Sequence, residues 1–310
     1  MDRTSRTTPT DTATLAKVSS PAKVNLVLRI LDRRPDGYHN LWSLMQTVGL
    51  ADDLFISLDP SSTDIHLSCA HPEVPLGPTN LIHRAARAVL DRAGIEIGLH
   101  IELEKRIPMG AGLGGGSSNA AATVLGLNRL LGLKWTAATM TEVTASLGSD
   151  IPFFFSAPTA IISGRGERVT PLRMTGSRTL LLVNPGFGVE TAWAYRTLAA
   201  GRSQSPRLAE SLQRLTDSTT VDWGTLSPLM ENDFEPVVFA AHPTLAAIKA
   251  ALLAAGAESA FLSGTGATVF GVFQSKESAA LALERLEIRP EWKAWVVPTA
   301  ASPLAVQAVS

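Results

Sequence analysis

Five glycines crowd the seven residues from Gly110 to Gly116, and no other stretch of the chain constrains its backbone so tightly. Without a Cβ, glycine takes positive φ and lets backbone amides approach a ligand, so a run this dense builds a loop of N–H groups. The full segment is Pro108-Met109-Gly110-Ala111-Gly112-Leu113-Gly114-Gly115-Gly116-Ser117-Ser118-Asn119. On its near side Leu99, Ile101 and Leu103 alternate with His100, Glu102 and Glu104, the pattern of a half-buried strand. On its far side Ala120, Val124, Leu127 and Leu131 recur at helical spacing, and Gly132 is a natural stop. A flexible Gly/Ser linker would not be framed by periodic apolar sequence. A strand feeding a glycine loop that opens a helix is an anion cradle, because the first helical N–H groups and the positive dipole end face one point. Ser117 and Ser118 add hydroxyls for a phosphate or a metal ion.

The remaining composition narrows the class. A chain of 310 residues suggests two domains. A net charge of −1 with no long basic run argues against nucleic acid or a membrane surface as partner. Cys69 stands alone and the six histidines are scattered without zinc-like spacing, so a reducing, cytoplasmic setting is expected. No run of about 18 apolar residues exists. Residues 1–14 are polar and Ser/Thr-rich, which reads as a disordered tail rather than a secretory signal, with the fold starting near Leu15.

Along the chain, Val24, Leu26, Leu28 and Ile30 are expected on one face of a strand, with Lys23, Asn25, Val27 and Arg29 on the other. Pro35-Asp36-Gly37 is a turn followed at once by Tyr38 and His39. Leu54, Ile56 and Leu58 give a further strand, and Leu81 to Ala93 a helix capped by Thr79 or Asn80 and stopped by Gly94. A helix over Ala137 to Leu147 leads to Gly148-Ser149-Asp150-Ile151-Pro152 and an extended apolar run, Phe153 to Phe155, placing Asp150 at a helix-to-strand junction. The turn-rich passage Gly164 to Ser177 marks a domain boundary. Beyond it a strand at Leu180 to Val183, helices at 190–199, 244–255 and 276–286, and a strand at 295–298 suggest a small antiparallel sheet covered by helices. Within it Ser263-Gly264-Thr265-Gly266 reads as a tight hairpin turn, and Asn232-Asp233-Phe234-Glu235 as a helix start around a core Phe234.

Gly110 to Gly115 satisfies the G-x-G-x-x-G spacing, but that pattern alone is weak, and the helix-into-helix order after it does not suit a dinucleotide fold. The Gly-Lys-Ser/Thr sequence of P-loop enzymes and the His-Arg-Asp loop of protein kinases are both absent. The segment Pro108 to Asn119 instead resembles the phosphate loop of the galactokinase, homoserine kinase, mevalonate kinase and phosphomevalonate kinase superfamily. Four further segments are Ser20-Pro21-Ala22-Lys23-Val24-Asn25-Leu26, Arg34-Pro35-Asp36-Gly37-Tyr38-His39, Leu147-Gly148-Ser149-Asp150-Ile151-Pro152 and Ser263-Gly264-Thr265-Gly266-Ala267. In this order they resemble the motifs of the superfamily branch that phosphorylates 4-diphosphocytidyl-2-C-methyl-D-erythritol, and the resemblance runs from about Leu15 to Pro303.

That resemblance implies an α+β fold: the two-domain small-molecule kinase fold of the superfamily, with an N-terminal α/β nucleotide-binding domain and a C-terminal antiparallel-sheet-plus-helices domain. Here these become an ATP-binding and catalytic domain over 15–177 and a substrate-binding domain over 178–310. It implies an ATP-dependent kinase acting on the 2-hydroxyl of the cytidyl substrate, in the non-mevalonate route to isoprenoid precursors, as a monomer or weak homodimer. It implies that Asp150 is the base and that Lys23 keeps this carboxylate ionised and steadies the transferring group. Pro108, Gly110, Ala111, Gly112, Leu113, Gly114, Gly115, Gly116, Ser117, Ser118 and Asn119 would surround the ATP phosphates, Ser117 or Ser118 would reach Mg2+, and Asn80, Lys105 and Asn119 align near the adenine. Tyr38 and His39 would meet the cytosine with Tyr195 over its other face, Asn25 would reach the substrate, and Ser263, Gly264, Thr265 and Gly266 would lie at its phosphates.

Each assignment has a plainer alternative on the residues alone. Asp150 could cap a helix, Lys23 could be solvated, and Tyr195 could be helix core. Two whole-protein alternatives also stand, a sibling kinase acting on another small alcohol and a non-catalytic nucleotide-binding module. The first would lack the Asp-Gly-Tyr-His turn, and the second would have no use for both Lys23 and Asp150.

Overall fold

The computed structural model describes residues 15–156, 158–202, 206–300 and 304–309, so the tail expected over 1–14 lies outside the described residues. Two long antiparallel strands, β1 (Leu15–Arg33) and β2 (His39–Asp59), are joined by a turn in which Gly37 takes φ +86° and the Asp36 carboxylate accepts from the Tyr38 N–H. Then come β3 (Ile65–Cys69), α1 (Leu81–Ala93), β4 (Gly98–Glu104), α2 (Gly115–Leu130), α3 (Ala137–Thr144), α4 (Ile151–Ser156), β5 (Thr159–Gly164), β6 (Arg168–Pro171) and β7 (Arg173–Thr175). Asn80 caps α1 by accepting from the Ile82 N–H, and Gly94 ends it in the left-handed conformation.

β2 is forked. Its residues Asp53–Asp59 pair with β4, its residues Leu41–Gln46 pair with β5, and the stretch between them has neither neighbour. That gap is where the chain leaves β4 for the glycine loop, so the fork places the loop beside the middle of the sheet. β3 lies parallel to β4, and β6 pairs with β5.

The later chain forms β8 (Thr179–Asn184), α5 (Thr191–Ala200), α6 (Glu210–Thr216), β9 (Thr220–Asp222), α7 (Trp223–Leu226), β10 (Glu231–Asn232), α8 (Glu235–Ala241) and α9 (Pro243–Ala254). It ends with β11 (Ser259–Leu262), β12 (Val269–Phe273), α10 (Lys276–Arg285), β13 (Lys293–Pro298) and β14 (Val306–Val309). Four of these strands make the expected antiparallel sheet, in the order β11-β12-β8-β13. Two others return to the first sheet: β10 runs parallel to Val27 and Leu28, and β14 runs antiparallel to Leu15–Val18, both on the edge of β1 away from β2.

Five expectations are corrected. The register of β1 against β2 shifts between Asn25 and Val27, so Val24 and Leu26 pack in one core cluster with Leu44 and Leu113, while Leu28 and Ile30 pack in the other with Met45 and Phe154. A bulge adds one residue to one strand and flips the alternation. Phe153 to Phe155 is helical, within α4, because Pro152 suits a first helical turn and the helix buries Phe153 and Phe154 edge to face; Asp150 therefore precedes a helix rather than a strand. α3 stops at Thr144, short of Leu147, and the passage 164–177 contains β6 and β7. The turn Ser263–Gly266 lies inside a six-residue connection between β11 and β12, closed by the Ser263 N–H donating to the Thr268 carbonyl.

Candidate active site

The glycine loop crosses directly over Lys23. The Lys23 N–H donates to the Leu113 carbonyl at 2.9 Å, and Gly114, with φ +68°, passes so close that a Cβ there would lie 2.8 Å from Lys23 Cγ. Lys23 is buried, its ammonium donates to Asn25 Oδ1 at 2.7 Å, and it sits 3.6 Å from Asp150 Oδ2. Asn25 donates in turn to Ser43 Oγ, which donates to the Val27 carbonyl, so the asparagine holds the lysine in place. Burial lowers the Lys23 pKa from the ordinary lysine value, against the opposing pull of Asp150. Asp150, with its side chain 30% exposed, is the accessible member of the pair.

The entrance to the loop hangs on a residue that the motifs do not mark. Asp52, fully buried at the fork of β2, accepts from the Arg106 and Ile107 N–H groups at 2.7 and 2.8 Å, from the Lys105 ammonium, and from Asn119 Nδ2 at 2.9 Å. Asn119 also donates to Ser20 Oγ, which donates to Ser118 Oγ at 2.8 Å. Lys105, Ser118 and Asn119 are thus held inward by protein partners. Ser117 is half-buried, one residue earlier on α2, and Asn80 is occupied by its cap and by the Pro75 carbonyl. An acidic residue inside an apolar strand is the only sequence signal that could have pointed to Asp52.

A second loop closes on the first. Ser263 Oγ donates to the Gly112 carbonyl at 2.9 Å, and the Thr268 N–H donates to the Ala111 carbonyl. Gly112, at φ +76°, leaves no space for a side chain: a Cβ would stand 2.0 Å from the Ser263 carbonyl oxygen. Gly112→Ala is expected to destabilise the fold by at least about 1–2 kcal/mol, the left-handed penalty alone, because the added Cβ would push the two loops apart. Urea unfolding checks this; an unchanged midpoint would show the loops yielding freely. Thr265 meets Thr191 at the start of α5, at 3.3 Å between hydroxyls.

At the other end of β1 the rings gather. His39 and Tyr195 lie 5.6 Å apart, and Tyr195 meets Phe234 edge to face at 4.9 Å. Tyr38 is 60% exposed, and its ring faces the Arg165 guanidinium at 5.2 Å rather than the Tyr195 ring. Burial and then the cationic neighbours Arg33 and Arg202 lower the His39 pKa, which keeps the imidazole neutral near pH 7. Burial and the charge of Asp150 push the Tyr195 phenol up, so it stays an O–H.

Lys23, Asn25, Asp150, the glycine loop and Ser263–Gly266 are therefore gathered in one place. His39 and Tyr195 form a second cluster at the hairpin end of the same strands, while Tyr38, next to His39 in the turn, is turned toward Arg165 instead. Asn80 and Lys105 flank the loop with their polar atoms already engaged.

Two family models match this chain: the GHMP kinases N terminal domain over residues 80–157 and the GHMP kinases C terminal over residues 206–290. The 4-diphosphocytidyl-2-C-methyl-D-erythritol kinase of Geobacter sp. (strain M21) is 41% identical over 284 residues, spanning 90% of this chain and 97% of that protein. The enzyme of the same name from Syntrophotalea carbinolica is 42% identical over 278 residues, spanning 90% and 96%. A crystal structure of 4-(cytidine 5'-diphospho)-2C-methyl-D-erythritol kinase superposes with a TM-score of 0.73 at 33% identity, over 92% of this chain and 99% of that one. The homoserine kinase of Cytophaga hutchinsonii, at 19% identity and a TM-score of 0.72 over 97% of this chain and all of its own, shares the fold.

Proposed function

The chain belongs to the 4-diphosphocytidyl-2-C-methyl-D-erythritol kinase family within the GHMP kinases and is an ATP-dependent small-molecule kinase, and from that premise we propose that it transfers the γ-phosphoryl group of ATP to the 2-hydroxyl of that cytidyl substrate. The observation that carries the reading is the Lys23–Asp150 pair, 3.6 Å apart beneath the glycine loop, with Lys23 on β1, the strand that leads to the turn carrying Tyr38 and His39, and Asp150 just before α4. In it the amides of Gly110 to Gly116 bind the β- and γ-phosphates, with Asn80, Lys105 and Asn119 supporting the nucleotide side. Asp150 takes the proton from the acceptor hydroxyl, and Lys23 stabilises the charge on the transferring group. Tyr38, His39 and Tyr195 receive the cytosine, Asn25 orients Lys23, and Ser263 to Gly266 offer backbone groups to the substrate diphosphate. Residues 15–177, with β10 and β14 added to the edge of β1, make up the ATP-binding and catalytic domain, and the rest of 178–310 the substrate-binding domain.

No cluster of three or more His, Cys, Asp or Glu side chains suited to a metal exists among the described residues. Ser118 Oγ already accepts from the Ser20 hydroxyl, so Ser117, half-buried beside it, is the hydroxyl that would hold Mg2+. Such an ion would neutralise phosphate charge during the transfer. Among the described residues no single helix is long and apolar enough to cross a membrane.

The test offers the purified protein ATP, Mg2+ and, separately, the cytidyl methylerythritol, mevalonate, galactose and homoserine, and follows ADP release. Turnover confined to the cytidyl substrate is expected; activity confined to another acceptor overturns the reading. Tyr38→Ala is expected to weaken the cytidyl substrate by about 1–3 kcal/mol, the worth of one base stack, and to spare KM for ATP. The pH profile carries a sign. Because burial lowers the Lys23 pKa, its ammonium is lost as pH rises through a value below 10.5, so kcat falls on the alkaline side earlier than for an exposed lysine. Lys23→Arg, which stays charged, should move that limb upward.

A further inference from the structure

The cluster Asn232 to Glu235 does more than start a helix. β10 pairs with β1 over only two residues, Val27 and Leu28, after which the Asp233 N–H donates to the Leu28 carbonyl. Beyond that point side chains continue the ladder: Asp233 Oδ2 accepts from the Ile30 N–H at 2.7 Å, and Arg202 donates to the Ile30 carbonyl at 2.6 Å. Arg202 and Asp233 are themselves paired at 2.8 Å, and Arg29 Nε lies 3.1 Å from the other Asp233 oxygen. A single largely buried carboxylate thus joins two guanidinium groups and a strand backbone.

Two of the groups held by this carboxylate, Ile30 and Arg202, lie on or next to the elements that carry the rings. Ile30 sits on the segment of β1 that runs into the hairpin carrying Tyr38 and His39. Arg202 lies two residues past α5, the helix that carries Tyr195, and Phe234, the next residue after Asp233, is the ring on which Tyr195 rests. We propose that Asp233 is a positioning residue for the acceptor site, setting the distance between His39 on the hairpin and Tyr195 on α5. The inference rests on the reading that these rings receive the cytosine. Asp233 touches no reacting atom, so its effect falls on acceptor binding rather than on phosphoryl transfer.

Asp233→Asn keeps the shape and one acceptor for the Ile30 N–H but leaves Arg29 and Arg202 without their shared anion. It is expected to raise KM for the cytidyl substrate, and Kd for cytidine diphosphate, about 10- to 100-fold, the cost of a misplaced contact, with kcat and KM for ATP nearly unchanged. Asp233→Glu should recover part of the loss. Arg202→Leu, at a more exposed position, should give a similar rise, and the double variant should be no worse than either single one, because both remove the same clamp. A role in folding alone predicts a lower Tm with the kinetic constants of the remaining folded enzyme intact, and that result overturns the proposal. So does an unchanged cytidyl KM in Asp233→Asn and Arg202→Leu when Tyr38→Ala raises it. An unchanged KM in Tyr38→Ala overturns instead the base assignment beneath it.

Discussion

Asp150→Ala is expected to lower kcat about 10²- to 10⁴-fold while leaving KM for ATP close to its starting value, the signature of a lost proton acceptor that plays no part in donor binding. The geometry gives the reason for the split. Asp150 stands before α4, outside the glycine loop, and its contact within the site is the Lys23 ammonium at 3.6 Å. Removing it leaves the loop, its amides and the Asp52 anchor in place. It also leaves a buried ammonium without its anion, so the alkaline limb of any residual activity should move to lower pH. Steady-state kinetics at saturating ATP measures this, and turnover within a few-fold of the parent would remove Asp150 from the role of base.

Asp52→Ala is expected to cost about 3–5 kcal/mol of stability, the usual consequence of removing one partner from a buried ion pair. Four donors converge on this carboxylate, two of them backbone N–H groups at the entrance to the glycine loop. Asp52→Asn should fall between, since its carbonyl oxygen can still accept from the backbone while the Lys105 charge goes uncompensated. Urea denaturation gives the stability, and KM for ATP should rise in both variants as the loop entrance slackens. A loss below about 1 kcal/mol for Asp52→Ala would mean that water takes the place of the carboxylate.

Local chemistry was legible in the sequence wherever it is written into backbone preference. The strand before the glycine loop, the helix after it, the Asn80 cap and the Gly37 turn all follow from residue type and period. What escaped depends on contacts between distant residues. The β1 bulge cannot be seen from β1 alone, since it exists only against the register of β2. Asp52 looks like any acidic residue until the fork of β2 buries it among four donors. Phe153 to Phe155 has strand propensity, and tertiary packing overrode it. Asp233 read as a helix start because its partners, Arg29 and Arg202, are far from it in sequence. In the candidate site, motif matching located the groups proposed to touch ATP and substrate, whereas the residues that hold those groups had no local signature.

The strands β10 and β14 close the free edge of β1, one of the first elements of the chain, with some of its last residues. During synthesis at about 5–20 residues per second, tens of seconds separate the emergence of β1 from that of β14. Throughout that interval the nascent first half presents an open strand edge to solvent and to its neighbours on the polysome, the condition that invites edge-to-edge aggregation. A fragment ending near residue 177 should therefore precipitate where the whole chain does not, and supplying the later half in trans should rescue it.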